Sequence, residues 1–456
     1  MKSISHITKK VKDYINKGQK RSVKAKKNIL ASFLIKGGSI LIGFILFRLY
    51  IEYLGKEVFG MWDVIASILT WFTFFDVGLD KGLRNRFAQA LAKGQKELAR
   101  SYVSTTYAIL FVISIVVLAL FFLIQPLLNW ATIFNIEPEK VMEMSSVMLA
   151  VFSFFCANFV LKIITTIYKA DQRPAFSDLI SLINNICILV ITVLLINFTE
   201  PSLLYLGVTL AGVPVVVLFF LTIYSFRKDY KEYSPSLKYV KKEYFGDLAS
   251  IGYQFFIIQI ISIIIFSTDK MIITQIFGPS EVPAYSAAFK YFGMVTKIFT
   301  IIIVPFWSAY TEAYNKDDFD WIKRTNKKLQ GIWKLLLGLS IVLLSISPFV
   351  FKLWVPNLEV PFFLSLSMFF YVNILAWGRI FVIFINGVGK VRLQMLTSII
   401  GAVINIPLSI LFAKHFGLGS AGVILASIIC LLYGPLLAPI QYKKIISKTA
   451  VGIWNK

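Results

Sequence analysis

Histidine and cysteine are nearly missing from this chain, and the few present lie where they can do little chemistry. Of 456 residues only two are His and three are Cys. His6 sits in a basic leader and His415 in a short turn, which leaves no His-based catalytic pair and no zinc site. Cys156, Cys187 and Cys430 each fall inside an apolar run without a neighbour at metal-ligand spacing, so they read as small core residues. Acids are scarce as well, 24 Asp and Glu against 47 Lys and Arg, for a formal charge of +23. Charged residues of both signs make up only 16% of the chain, where a soluble domain carries about a quarter. Long polar stretches are also lacking. No segment on the side opposite the leader exceeds about sixteen residues, too few to fold into a catalytic domain. No metal and no cofactor is expected, and the chain is not expected to be an enzyme.

What is abundant is apolar: 57% of residues are hydrophobic, and the mean hydropathy is +0.74. Runs of twenty or so apolar residues recur along the chain, each long enough to cross a bilayer as a helix. They predict spans at 29–54, 58–79, 102–125, 142–168, 177–196, 203–226, 249–277, 284–311, 332–354, 361–386, 394–413 and 420–441. The basic residues decide orientation. Segments on the leader's side hold 35 Lys and Arg, the opposite side only Lys56, Lys140 and Lys414, and 9 lie within spans. Such alternation places both ends of the chain in the cytoplasm and supports twelve spans, because one span more or fewer would put basic loops outside. It also removes the nucleic-acid reading of the charge: a nucleic-acid binder gathers cations on one face of a soluble fold, not between apolar runs. The expected organisation is a basic leader at 1–28, a first lobe at 29–226, a linker at 227–248, a second lobe at 249–441 and a basic tail at 442–456. The first apolar run is too long for a signal-peptide core and no cleavage site follows it, so the leader is expected to stay attached.

The two lobes resemble each other. YLGKEVFGMW at 53–62 and IFGPSEVPAY at 276–285 both place a glycine, a short gap, Glu-Val and an aromatic at the start of a span. Gly55 and Gly278 are 223 residues apart, Glu57 and Glu281 are 224, and Asn184 and Asn405 are 221. Six spans per half keep the same orientation, so the repeat is parallel, about an axis along the membrane normal.

A charge within the bilayer costs several kcal/mol and therefore faces a partner or a polar interior. Lys36, Asp76, Lys334 and Lys352 lie near span ends and can snorkel to the interface. Arg48, Glu52, Asp63, Lys162, Asp269, Lys270, Lys290, Lys297 and Arg379 lie deeper. Arg48 and Asp63 fall at one depth, roughly 8–9 Å below the outer end of their hairpin, and Asp269, Lys270 and Lys290 at roughly 10–13 Å. Two readings stand. Ion pairs such as Arg48 with Asp63 and Asp269 with Lys290 would only lock the bundle. Alternatively the cations Arg48, Lys162, Lys270, Lys290, Lys297 and Arg379 line a wet cavity and meet an anionic ligand, while Glu52, Asp63 and Asp269 form ion pairs or take a coupling ion. Pro305, on the span that carries Lys290 and Lys297, is the candidate hinge.

Three stretches then carry a family likeness: FFDVGLDKGLRNRFAQALAKG at 74–94, forming the first basic loop, PFWSAYTEAYNKDDFDWIK at 305–323, and INGVGKVRLQ at 385–394. With the twelve-span layout they resemble the polysaccharide-transport family of lipid-linked oligosaccharide (O-antigen) flippases, within the multidrug, oligosaccharidyl-lipid and polysaccharide exporter superfamily. Gly78, Gly82 and Asn85 match the family's inner-loop pattern, whereas Asp80 stands where a smaller or neutral residue is usual. The resemblance implies a MATE-like, all-α membrane fold with two six-helix lobes around a central cavity. It implies alternating access that moves an undecaprenyl-diphosphate-linked sugar unit across the bacterial inner membrane, coupled to a proton or sodium gradient, with a polysaccharide polymerase as partner. A drug or organic-cation exporter and a lipid II-type prenyl-diphosphate flippase are the alternatives. The first would prefer an acidic cavity.

Overall fold

A computed structural model of the protein describes residues 20–72, 79–137, 141–171, 173–246, 268–304 and 306–455. Every regular element among them is helical. In chain order the α-helices are α1 (Lys20–Phe72), α2 (Leu79–Ala92), α3 (Lys96–Ile124), α4 (Trp130–Phe134), α5 (Val141–Leu161), α6 (Ile163–Ala170), α7 (Pro174–Phe198) and α8 (Leu203–Arg227). They continue with α9 (Asp269–Phe277), α10 (Val282–Ile303), α11 (Phe306–Asn315), α12 (Phe319–Trp354), α13 (Phe362–Gly387), α14 (Arg392–Ile410), α15 (Gly419–Cys430) and α16 (Ala438–Ile446). Among the described residues ten helical stretches are long and apolar enough to cross a membrane. Each falls on an expected span. The stretch Ile35–Trp71 takes in the first two, and the expected seventh, at 249–277, lies largely outside the described residues.

The helix α1 is interrupted at Gly55, whose φ of 72° and ψ of 168° are not helical. Gly278, at the C-cap of α9, has φ 88° and ψ 165°. The two glycines that head the repeated sequence pattern thus adopt one backbone conformation, open to glycine and strained for an L side chain.

The chain divides into two compact units. The first takes the residues up to 53, 75–127 and 146–253, and the second takes 54–74, 128–145 and the chain from 254 onward. The described residues 54–72 therefore pack with the C-terminal unit although they precede the linker, and the boundary falls next to the break at Gly55.

In the first unit the basic segment expected as a loop folds as a helix. In α2 Leu79, Leu83, Phe87 and Ala90 recur every three or four residues and are buried, while Arg84, Asn85 and Gln89 are exposed. The apolar side of α2 joins a core with Tyr102, Val103, Ile164, Ile167 and Tyr168, and Asp80 accepts a hydrogen bond from the Thr166 hydroxyl. The linker is tied down in this unit. Arg100 Nε donates to the Ser234 carbonyl at 2.8 Å and its guanidinium lies 4.3 Å from the Tyr239 ring centre. The Ser236 and Lys241 amides donate to the Ser104 and Thr105 hydroxyls at 3.1 Å each. Elsewhere α3 keeps Phe111, Val112, Ile115, Leu120 and Leu123 about half exposed or more, an apolar surface that fits a helix long enough to cross a membrane.

The second unit is built on close backbone approach. A Cβ added to Gly378 would lie 2.7 Å from the Gly434 carbonyl carbon, and one at Gly401 would lie 2.7 Å from the Cys430 carbonyl oxygen. At Gly422 it would meet Phe412 at 2.6 Å, and at Gly60 the Pro279 carbonyl oxygen at 1.8 Å. Lipid is as apolar as leucine, so membrane helices associate through close packing and interhelical hydrogen bonds, and small residues at the interface let their backbones approach. The helices α10 and α13 are the most enclosed of the spans.

Candidate functional site

Sequence places Asp269 and Lys270 side by side at the start of α9, and the helix separates them by about 100°. Each finds a different environment. Lys270 donates to Asp63 at 2.7 Å, with the two side chains only 25% and 15% exposed, and Asp63 accepts a second bond from the Ser286 hydroxyl of α10. Asp269 turns into the core, where Tyr285 donates its phenolic proton to one carboxylate oxygen at 2.5 Å and the Ser427 hydroxyl lies 3.5 Å from the other. Of the two locking pairs expected from sequence, Asp63 is found with Lys270 and Ser286. Among the described residues, the bonds to Asp269 come from hydroxyls and not from Lys290.

Two more of the candidate cations, Lys290 and Lys297, lie on one face of α10. Ser286, Lys290, Gly293, Lys297 and Thr300 follow one another every three or four residues, a stripe about 21 Å long at 1.5 Å per residue. Roughly opposite stand Ala288, Phe292, Val295 and Phe299, all buried. Lys290 is half-buried and Lys297 exposed, and Lys290 lies within electrostatic reach of Lys297, Asp63 and Lys270. From α13, Arg379 donates to the Thr300 hydroxyl at the far end of the stripe. Asp63, Lys270, Lys290, Lys297 and Arg379 together carry four positive charges and one negative.

The other candidates belong to the first unit. Arg48 and Glu52 are exposed on α1. Glu52 borders an open pocket with Tyr53 and residues 196–201, where the Tyr53 hydroxyl bonds to Thr199 and to the Glu200 carbonyl at 2.8 Å each. Lys162 stands at the joint of α5 and α6, its ammonium 4.7 Å from the Phe159 ring centre. Pro305 lies outside the described residues. Sequence reasoning passed over Ser286 and Thr300, whose spacing of 4 and 3 residues from Lys290 and Lys297 was the available signal inside an apolar run. It also passed over Tyr285 and Ser427, which carry no such signal.

The sequence profile for polysaccharide biosynthesis proteins matches residues 25–309, more than half of the chain and all of the stripe on α10. The chain belongs to that family. Among its relatives, a protein of Yersinia pseudotuberculosis proposed to export O-antigen is 22% identical over 83% of this chain and 87% of its own length. A proposed O-antigen transporter of Salmonella typhimurium is 24% identical over 66% of this chain and 68% of its own. The fold is that of the MATE transporters. An inward-facing multidrug resistance MATE transporter superposes with a TM-score of 0.76 at 13% identity, covering 93% of this chain and 100% of its own. A MOP-superfamily transporter from Pyrococcus furiosus, described as having a binding pocket of reverse polarity, gives 0.66 at 14% identity over 93% and 97%.

Proposed function

We propose that this protein is a flippase that moves an undecaprenyl-diphosphate-linked oligosaccharide, an O-antigen or capsule repeat unit, across the bacterial inner membrane. The single observation that carries the reading is the cationic stripe on α10, which turns Lys290 and Lys297 away from the core of their own unit and draws Arg379 to its end. Holding cations within the membrane is costly, and a diphosphate repays that cost with two or three charge-assisted bonds. A guanidinium and two ammonium groups suit it, Arg379 as a fork and the lysines as point charges. An exporter of organic cations would want accessible carboxylates, whereas Asp63 is engaged by Lys270 and Asp269 is enclosed. The family and its relatives support transport rather than catalysis. Twelve spans with both ends in the cytoplasm, Arg48, Lys162 and Lys270 as further phosphate contacts, a hinge at Pro305, coupling to an ion gradient through Asp63, Asp269 or Glu52, and delivery to a polysaccharide polymerase complete the reading.

The test is complementation of a strain that lacks its own O-antigen flippase. Charge reversal at Lys290 or Lys297 is expected to abolish surface polysaccharide with the protein still present in the membrane, while Lys297→Arg keeps most export. Wild-type export by a protein reversed at both positions would remove the phosphate-binding role of the stripe.

A further inference from the structure

The linker that follows α8 runs along the foot of two helices long enough to cross a membrane, and its exposed side chains are of two unlike kinds. On α8 Val216, Phe220 and Tyr224 recur every four residues and are about half exposed or more. Lys228 continues the spacing, its ammonium 5.0 Å from the Tyr224 ring centre. An apolar stripe that ends in an aromatic and then a cation has the composition of a membrane–water boundary. The chain leaves α8 at that level and is held there. The Ser236 and Lys241 amides bond to Ser104 and Thr105 of α3, about 10 Å along the helix from the exposed Phe111.

Residues 237–245 read LKYVKKEYF. Tyr239 and Tyr244 are half-buried, the first under Arg100 and the second against Tyr102. Leu237 is 88% exposed and Phe245 49%, and Val240 and the three lysines are exposed as well. Lys241 has Glu243 at 3.7 Å, while no acid among the described residues lies within ion-pair distance of Lys238 or Lys242. Setting the orientation of the chain needs only the lysines. It does not call for leucine, valine and phenylalanine exposed between them. Such a mixture, fixed at the boundary, fits an acidic bilayer surface, whose acyl edge takes the apolar groups and whose phosphates take the cations. Nine residues is well short of the roughly twenty that one side of a stable protein–protein interface takes.

We propose that residues 237–245 are an interfacial anchor that binds acidic phospholipids, with Leu237, Val240 and Phe245 in the headgroup–acyl boundary and Lys238 and Lys242 on the phosphates. The chain that joins the two units is thereby held by the first unit and by the leaflet together. The anchor rests on the membrane placement of α3 and α8 and not on the passenger. Intact lipid contact in a protein that exports no polysaccharide would count against the transport reading alone.

The test uses the purified full-length chain in nanodiscs of phosphatidylcholine with and without phosphatidylglycerol. In a background without the native cysteines, a nitroxide is attached to a cysteine at Leu237, Phe245 or Gln95, and its relaxation by oxygen and by a water-soluble nickel chelate reports depth. Gln95 lies about 13 Å before Ser104 along the chain, on the water side of the boundary. Labels at 237 and 245 are expected to be reached by oxygen and shielded from nickel, and the label at 95 the reverse. Competition between lipids on the unlabelled chain gives the preference for phosphatidylglycerol. Lys238→Gln and Lys242→Gln should each lower that preference about fivefold, an effect that high salt removes, whereas Lys93→Gln beside the turn at Gly94 should leave it unchanged. Labels at 237 and 245 as open to nickel as the one at 95 overturn the proposal, as does a preference that survives the loss of both lysines. Labels wet in nanodiscs but covered in the native membrane would assign the surface to a protein partner and overturn it equally. Both lysine variants should melt like wild type in phosphatidylcholine alone, and a lower melting temperature there would make the lysines structural and overturn their role in lipid binding.

Discussion

Removing Asp63 isolates Lys270 within the membrane, and the cost can be worked out from the contact. At 2.7 Å and an effective dielectric of about 20, the attraction is about 6 kcal/mol. Desolvation of both groups takes back most of this, leaving a net coupling of about 2 kcal/mol, above the ~0.6 kcal/mol typical of polar contacts between membrane helices. The low exposure of both side chains, 25% and 15%, argues against a surface-like value near zero. Asp63→Ala alone is expected to destabilise by about 3 kcal/mol, because it strands a cation and also frees the Ser286 hydroxyl. The double variant Asp63→Ala with Lys270→Ala should cost about 2 kcal/mol less than the sum of the singles. The assay is a double-mutant cycle read by chemical unfolding of the purified protein in detergent, with export measured in the same four strains. Additive singles would refute the pairing, and a double variant that exports like wild type would show that Lys270 serves the ion pair and not the passenger.

Three further outcomes are expected. Gly378→Val should destabilise by about 2–4 kcal/mol and lower the amount of protein in the membrane, because its side chain would enter the Gly434 backbone. Arg100→Ala should cost about 1 kcal/mol and speed protease cleavage within 228–246 several-fold, since it frees the Ser234 carbonyl and the Tyr239 ring. A cysteine placed at Gln95 should react with an impermeant maleimide only from the cytoplasmic side and one at Glu359 only from the outside, in a background without the native cysteines. The reverse pattern would overturn the orientation read from the basic residues.

Much of this protein is written locally. Apolar runs of about twenty residues suffice to place spans, because a bilayer demands that each segment satisfy its own backbone. The glycines at 55 and 278 could be paired from sequence, and they share one conformation because a positive φ is a local property that glycine alone enters freely. The segment 79–92 was legible only in part. Its charges mark it as polar, while the spacing of Leu79, Leu83 and Phe87 makes it a helix.

Which charge meets which group was decided by tertiary structure alone. Asp269 and Lys270 are neighbours in sequence, yet one is enclosed by Tyr285 and Ser427 and the other reaches Asp63, 207 residues away. The sequence supplied the inventory of buried charge, and the depth of each group followed from counting residues. The partner depends on how each helix is rotated about its axis and which helices lie beside it, and close backbone approaches between distant parts of the chain, such as Gly60 against Pro279, are among the contacts that fix this.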